Sequence, residues 1–114
     1  MRMHASLDGF AAPDPANIER VATLLRLLAD PTRLKILHAL NQGESFVGCL
    51  VEMSGANQPT VSQHLTKLRL AGVIKARREG IHTFYTMQDP QAVAVLDLLL
   101  GTALAVHPSV PTAS

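Results

Sequence analysis

A single cysteine, Cys49, and no tryptophan stand in a chain of 114 residues, and aromatic side chains make up only 4% of it. One thiol excludes an internal disulfide framework and leaves three roles open: a free thiol, a bond between subunits, or one ligand of a metal. With so few aromatic rings, Leu, Val, Ile and Ala must fill the interior, which suits packed helices better than a β-sandwich. No apolar run has the length that crosses a bilayer; the longest, at about residues 92–106, is broken by Asp97. The first ten residues lack the apolar centre of a secretion signal. A cytoplasmic protein without a membrane partner is therefore expected. Charged residues are 17% of the chain against 47% hydrophobic, which excludes a disordered polyelectrolyte and allows one packed domain. Catalysis is not expected either. Cys49 has no evident His partner, and the sequence holds no Gly-rich phosphate loop and no glycine-flanked serine.

What charge there is lies unevenly. Residues 58–87 hold Lys67, Arg69, Lys75, Arg77 and Arg78 against Glu79 alone, while the remainder holds five bases and eight acids. A basic segment on a mildly acidic body suits a polyanion bound by one face.

Proline punctuates the chain. Asp14-Pro15, Asp30-Pro31 and Asp89-Pro90 each precede an apolar-periodic stretch. An Asp side chain caps free helical N–H groups, and Pro in the first turn sacrifices no needed donor. Helices are predicted from about 15 to 29, with Ile18, Val21, Ala22, Leu25 and Leu28 on one face, and from about 31 to 41, with Leu34, Leu37 and Leu40 inward. A short helix at about 47–54 and another at about 59–71 are separated by a Gly-containing turn, the pattern of a helix-turn-helix. The period then changes to that of strands. Val73–Arg78 and Ile81–Thr86, around Glu79-Gly80, read as a β-hairpin, or wing. The last helix, predicted at about 90–106, is apolar on most sides, with Val93, Val95, Leu96, Leu98, Leu99, Leu100 and Leu104 around Asp97. One small domain covers one side of such a helix, so a homodimer through the terminal helices is expected. The fold class is mainly α (α+β): a winged helix-turn-helix in the order α1-α2-α3-α4-β-hairpin-α5. It occupies about residues 14–106, and residues 1–13 and 107–114 are expected to be flexible tails.

The predicted fourth helix presents Gln58, Thr60, Ser62, Gln63, His64 and Lys67 between its core positions. Polar, hydrogen-bonding side chains of this kind meet base edges in the major groove of double-stranded DNA, with Gln63 able to make paired bonds to adenine and Lys67 better placed for phosphate. Arg77, Arg78 and His82 lie at or near the wing tip, where Arg suits the minor groove or flanking phosphates, unless body acids pair with it. A sequence-specific DNA-binding regulator follows. The alternative is a winged-helix protein-interaction module that does not bind DNA.

Three stretches carry a family resemblance: Leu27-Leu28-Ala29-Asp30-Pro31-Thr32-Arg33-Leu34-Lys35-Ile36-Leu37, then Gln58-Pro59-Thr60-Val61-Ser62-Gln63-His64-Leu65-Thr66-Lys67-Leu68-Arg69-Leu70-Ala71-Gly72-Val73-Ile74, then Arg77-Arg78-Glu79-Gly80 with Phe84-Tyr85. They resemble the ArsR/SmtB family of repressors over about residues 17–105. The resemblance implies a symmetric dimer on an imperfect palindromic operator, and a promoter repressor that an inducer releases.

Sensing positions are where the chain departs from that family. Where members carry two cysteines in the third helix, this chain has Phe46 and Gly48, and Cys49 falls on an Asp position. One thiol cannot make a thiolate cluster for soft metals. At the last-helix site Asp89 matches the first ligand, but Gln91, Thr102 and Ala105 replace the others, so the tetrahedral set is incomplete. No metal set is assigned. For a divalent ion only Asp89, His107 and Cys49 remain as candidates, with His4 in the other tail, and no spacing joins them. Cys49 is also the one candidate redox switch, against the plainer role of a small packed residue.

Overall fold

The computed structural model describes Gly9 and residues 11–101. Five helices and a small sheet follow in the order α1 (Pro15–Leu28), α2 (Pro31–Gln42), β1 (Ser45–Phe46), α3 (Val47–Ser54), α4 (Gln58–Leu70), β2 (Ile74–Glu79), β3 (His82–Met87) and α5 (Pro90–Leu100). The Asp-Pro pairs open helices as expected. Asp14, Asp30 and Asp89 each accept a backbone N–H of the first turn, from Ala16, Arg33 and Gln91. Each bond satisfies a donor that has no partner inside the helix. Asn57 does the same for α4, accepting from Thr60 N at 2.9 Å.

The core is aliphatic. Ile36, Leu37, Leu50, Val61, Leu65, Leu68, Ile74 and Leu96 come from α2, α3, α4, β2 and α5 and are essentially without solvent contact. α3 packs on both α2 and α4, and the sheet closes one end in the order β1-β3-β2, all antiparallel. α4 ends in a bonded reverse turn, with Gly72 N donating to Arg69 O and Val73 N to Leu68 O, each at 3.0 Å. That turn directs Val73 and Ile74 straight into the core.

Four expectations are corrected. First, the hairpin turns at Gly80-Ile81, one residue later than expected, because Glu79 pairs with His82. Gly80 takes φ +64°, which an L side chain rarely adopts, and Ile81 is thereby left in the turn rather than in a strand. Second, α1 buries Leu24, Leu27 and Leu28, while Ile18 and Leu25 remain 49% and 51% exposed. The expected apolar face is largely not the one turned to the core of its own domain. Third, α5 closes at Leu100, where Gly101 at φ +62° bonds back to Asp97 O; residues 102–106, with Leu104, lie outside the described residues. Fourth, β1 was not foreseen. It is two residues long, too short to show a period, and exists because Phe46 and Ser45 pair with Phe84 and Tyr85. The expected tails lie outside the described residues but for Gly9, 11–13 and their junctions with the domain.

α5 matches its sequence pattern otherwise. Ala92 and Leu96 enter the core, whereas Leu98 and Leu99 are 81% and 71% exposed. Leu99, with Leu25 and Leu28 of α1, borders an apolar groove of about 230 Å³ that also takes in Val95 and Leu100. Asn41 of α2 ties α5 down by donating to Asp97 Oδ1 at 2.7 Å.

Candidate nucleic-acid interface

α3 and α4 meet through the turn 55–57, and their relative placement is fixed from inside. Ser54, 5% exposed, accepts from Ala56 N at 3.2 Å, and Leu50, Val61 and Leu65 interlock in the core. The inner row Val61, Leu65 and Leu68 then dictates which side chains of α4 face outward. Gln58, Gln63 and Lys67 are exposed, and Thr60 and Ser62 are half-buried. These five stand outside that inner row.

His64 is placed differently from the other five. Its side chain is 18% exposed and turns back to α2, with Nε2 3.9 Å from Asp30 Oδ2. Its Nδ1 lies 3.3 Å from the Arg33 guanidinium. Arg33 is a hub: Nε donates to Leu27 O at 2.6 Å and Nη2 to Arg26 O at 3.3 Å. The last carbonyls of α1, which have no partner within their helix, are thereby satisfied from the first turn of α2. The Arg33 backbone N–H, then the Arg33 and His64 charges, hold the Asp30 carboxyl below its usual range. The sequence gives no direct sign of this hub, since its members stand on three elements.

The wing carries its cations in two states. Arg78 is exposed on β2. Arg77 is held: its guanidinium donates twice to Glu44 at 2.8 Å and once to Glu79 at 2.7 Å, and its Cζ lies 4.9 Å from the Phe84 ring centre. Those two carboxylates raise the Arg77 pKa further, and the Arg77 hydrogen bonds lower that of Glu44. Phe46, His82 and Phe84 form an aromatic cluster beside it, with Phe46 and His82 rings 5.3 Å apart. Arg77 thus fastens the wing to the segment before β1. No local pattern in the sequence marks Glu44, which lies 33 positions from its partner.

A carboxylate with a lowered folded-state pKa adds stability above its ordinary value, here 4.5, and loses it as pH falls through the lowered one. Wild-type protein should therefore lose more of its denaturant midpoint between about pH 5 and about pH 3 than Glu44→Gln does. Equal losses in the two proteins would remove Glu44 as a wing fastener.

Among the described residues, no group of three His, Cys, Asp or Glu side chains could hold a metal ion. Asp89 is occupied as the cap of α5, accepting from Gln91 N at 2.9 Å. The Gln91 amide oxygen accepts from the Arg20 guanidinium, so a cation already sits beside the position where the resemblance puts a metal ligand. These residues do not fit a divalent ion. Cys49 is a half-buried free thiol on α3, and His107 and His4 lie outside the described residues.

Helix-turn-helix, hairpin wing and exposed polar face together define a winged helix-turn-helix protein of the kind that meets duplex DNA. Comparison with known proteins agrees. Residues 30–76 match the model of the bacterial regulatory proteins of the arsR family. The HTH-type transcriptional regulator KmtR of Mycobacterium tuberculosis is 34% identical over 104 residues, which are 89% of this chain and 80% of that one. The transcriptional repressor BigR from Xylella fastidiosa superposes with a TM-score of 0.71 at 34% identity, over 79% of this chain and 92% of that one. The homodimeric winged helix-turn-helix DNA-binding domain of Mb0332 from Mycobacterium bovis gives 0.68 at 31% identity, over 80% and 87%. The chain belongs to the arsR family of helix-turn-helix transcriptional regulators.

Proposed function

We propose that two copies of this chain pair through α1 and α5 and set their α4 helices into successive major-groove turns of an imperfectly palindromic DNA operator. In this account the protein represses a promoter until an inducer releases it. The observation that carries the proposal is the outer face of α4: Gln58, Gln63 and Lys67 are free to solvent while Val61, Leu65 and Leu68 anchor the helix from behind. Gln63 reads base edges; Thr60 and Ser62 bond phosphate or base; Lys67 and Arg78 neutralise phosphates. Arg77 and His82 stiffen the wing and stand beside the backbone. His64 supports α4 from the side of α2. The exposed Leu25 and Leu99, which border the apolar groove of α1 and α5, support the pairing, because exposed apolar surface at a groove seeks a partner. Repression is supported by the repressor BigR, and dimerisation by Mb0332.

The experiment is a titration of duplexes selected from a random pool, at several salt concentrations. Affinity should fall with salt along a straight logarithmic line, and Lys67→Gln should reduce the slope by about 0.9 while weakening all sequences alike. Salt-independent binding, or no selected duplex at all, contradicts the proposal and favours a protein-binding module.

A further inference from the structure

The outer face of α4 is also one wall of a groove. Gln63, Lys67 and Leu70 of α4 face Thr23, Arg26 and Leu27 of α1 across a space of about 700 Å³. Sites for small molecules are concave, of roughly 300–1,000 Å³, mainly apolar, with a few convergent polar groups. This groove has that make-up. Leu70 is 77% exposed and takes no part in the apolar groove of α1 and α5, so neither pairing nor DNA reading accounts for it. Arg26, Arg33 and Lys67 bring three positive charges into the same space, of which the Arg33 guanidinium is already engaged with Leu27 O, Arg26 O and His64 Nδ1. The ion pairs among the described residues are those of His64 with Asp30 and of Arg77 with Glu44 and Glu79. Neither Arg26 nor Lys67 has a carboxylate among them, and the Arg26 guanidinium reaches only Thr23 Oγ1, at 3.2 Å.

We infer that this groove binds a small carboxylate with an apolar body, and that such a ligand is an inducer. The carboxylate lies between Arg26 and Lys67, where charge-assisted hydrogen bonds are strong. The apolar body covers Leu70 and removes its surface from water. Because Gln63 and Lys67 line the groove and also face DNA in the proposed complex, ligand and duplex exclude each other. This last step rests on the DNA-binding proposal; the binding site itself does not.

The test uses the full chain and 2-naphthoate as probe, with 2-naphthylmethanol as its neutral match. Calorimetric titration without DNA should give one naphthoate per protomer and at least about tenfold weaker binding of the alcohol, whose hydroxyl carries no charge to Arg26 and Lys67. Arg26→Gln and Leu70→Ser should each weaken naphthoate about tenfold. Lys35→Gln removes an exposed cation of α2 outside the groove and should leave it unchanged. With a selected duplex present, naphthoate should release wild-type protein, and Arg26→Gln should need about tenfold more of it for half release. No binding at about 1 mM, equal binding of the alcohol, or insensitivity to Arg26→Gln and Leu70→Ser overturns the site. Binding that leaves the duplex in place overturns the competition. If wild-type protein selects no duplex, the DNA-binding proposal fails while the calorimetric arm still decides the site.

Discussion

Leu99→Glu is expected to leave single protomers in solution and to lower affinity for a two-half-site duplex by about 10²–10³-fold, because the second recognition helix no longer arrives at high effective concentration. Leu99 is 71% exposed on α5 and borders the apolar groove with Leu25, Leu28 and Val95. A carboxylate there stays hydrated in a lone protomer. Against a second copy it would have to give up that water without a partner, which is costly. The helix itself tolerates the change, since Glu is a good helix former and Leu99 is not needed to fill the core. Light scattering should therefore report half the wild-type mass with helical content retained. A Leu99→Glu protein that stays paired would place the dimer contact elsewhere.

Leu65→Ala is expected to destabilise the protein by about 2–5 kcal/mol, a large part of the roughly 5–15 kcal/mol that holds a domain together. Leu65 is 1% exposed at the centre of α4, between Val61 and Leu68. Its loss leaves a cavity that α3 and β2, which pack on α4, cannot fill without α4 moving. The denaturant midpoint measures the loss, and DNA affinity should fall with it as the outer face of α4 loses its fixed orientation. A loss below about 1 kcal/mol would mean that the site repacks and that α4 is not anchored through this row.

Much of the fold was legible because its signals are local. Asp30-Pro31 and Asp89-Pro90 carry their caps two or three residues from the N–H groups they satisfy. The apolar period of α4 names Val61, Leu65 and Leu68 as inner residues without knowledge of what they touch. Long-range choices were not legible. α1 offers apolar side chains around much of its girth, and only packing decides that Leu24 and Leu27 go inward while Ile18 and Leu25 stay bare. The hairpin register depends on which pair closes the turn; Glu79-Gly80 and Gly80-Ile81 both offer a glycine, and the pairing of Ile74 with Met87 selects the second. The candidate site divides in the same way. Gln63 and Lys67 follow from helical spacing, but the partners of His64 and Arg77 come from α2 and from the segment before β1. Arg26 was missed because its position on α1 implies nothing until α4 is laid beside it.

The central claim is that the polar outer face of α4 reads base sequence. Its most direct measurement is the affinity ratio between a selected duplex and a scrambled one, for wild-type protein and for Gln63→Ala. The ratio should fall about 5- to 150-fold in Gln63→Ala, the equivalent of about 1–3 kcal/mol, with the salt slope unaltered, since a base contact and not a phosphate contact is lost. An unchanged ratio, or a reduced slope with sequence choice intact, would show that Gln63 does not face the bases and that α4 is not the reading helix.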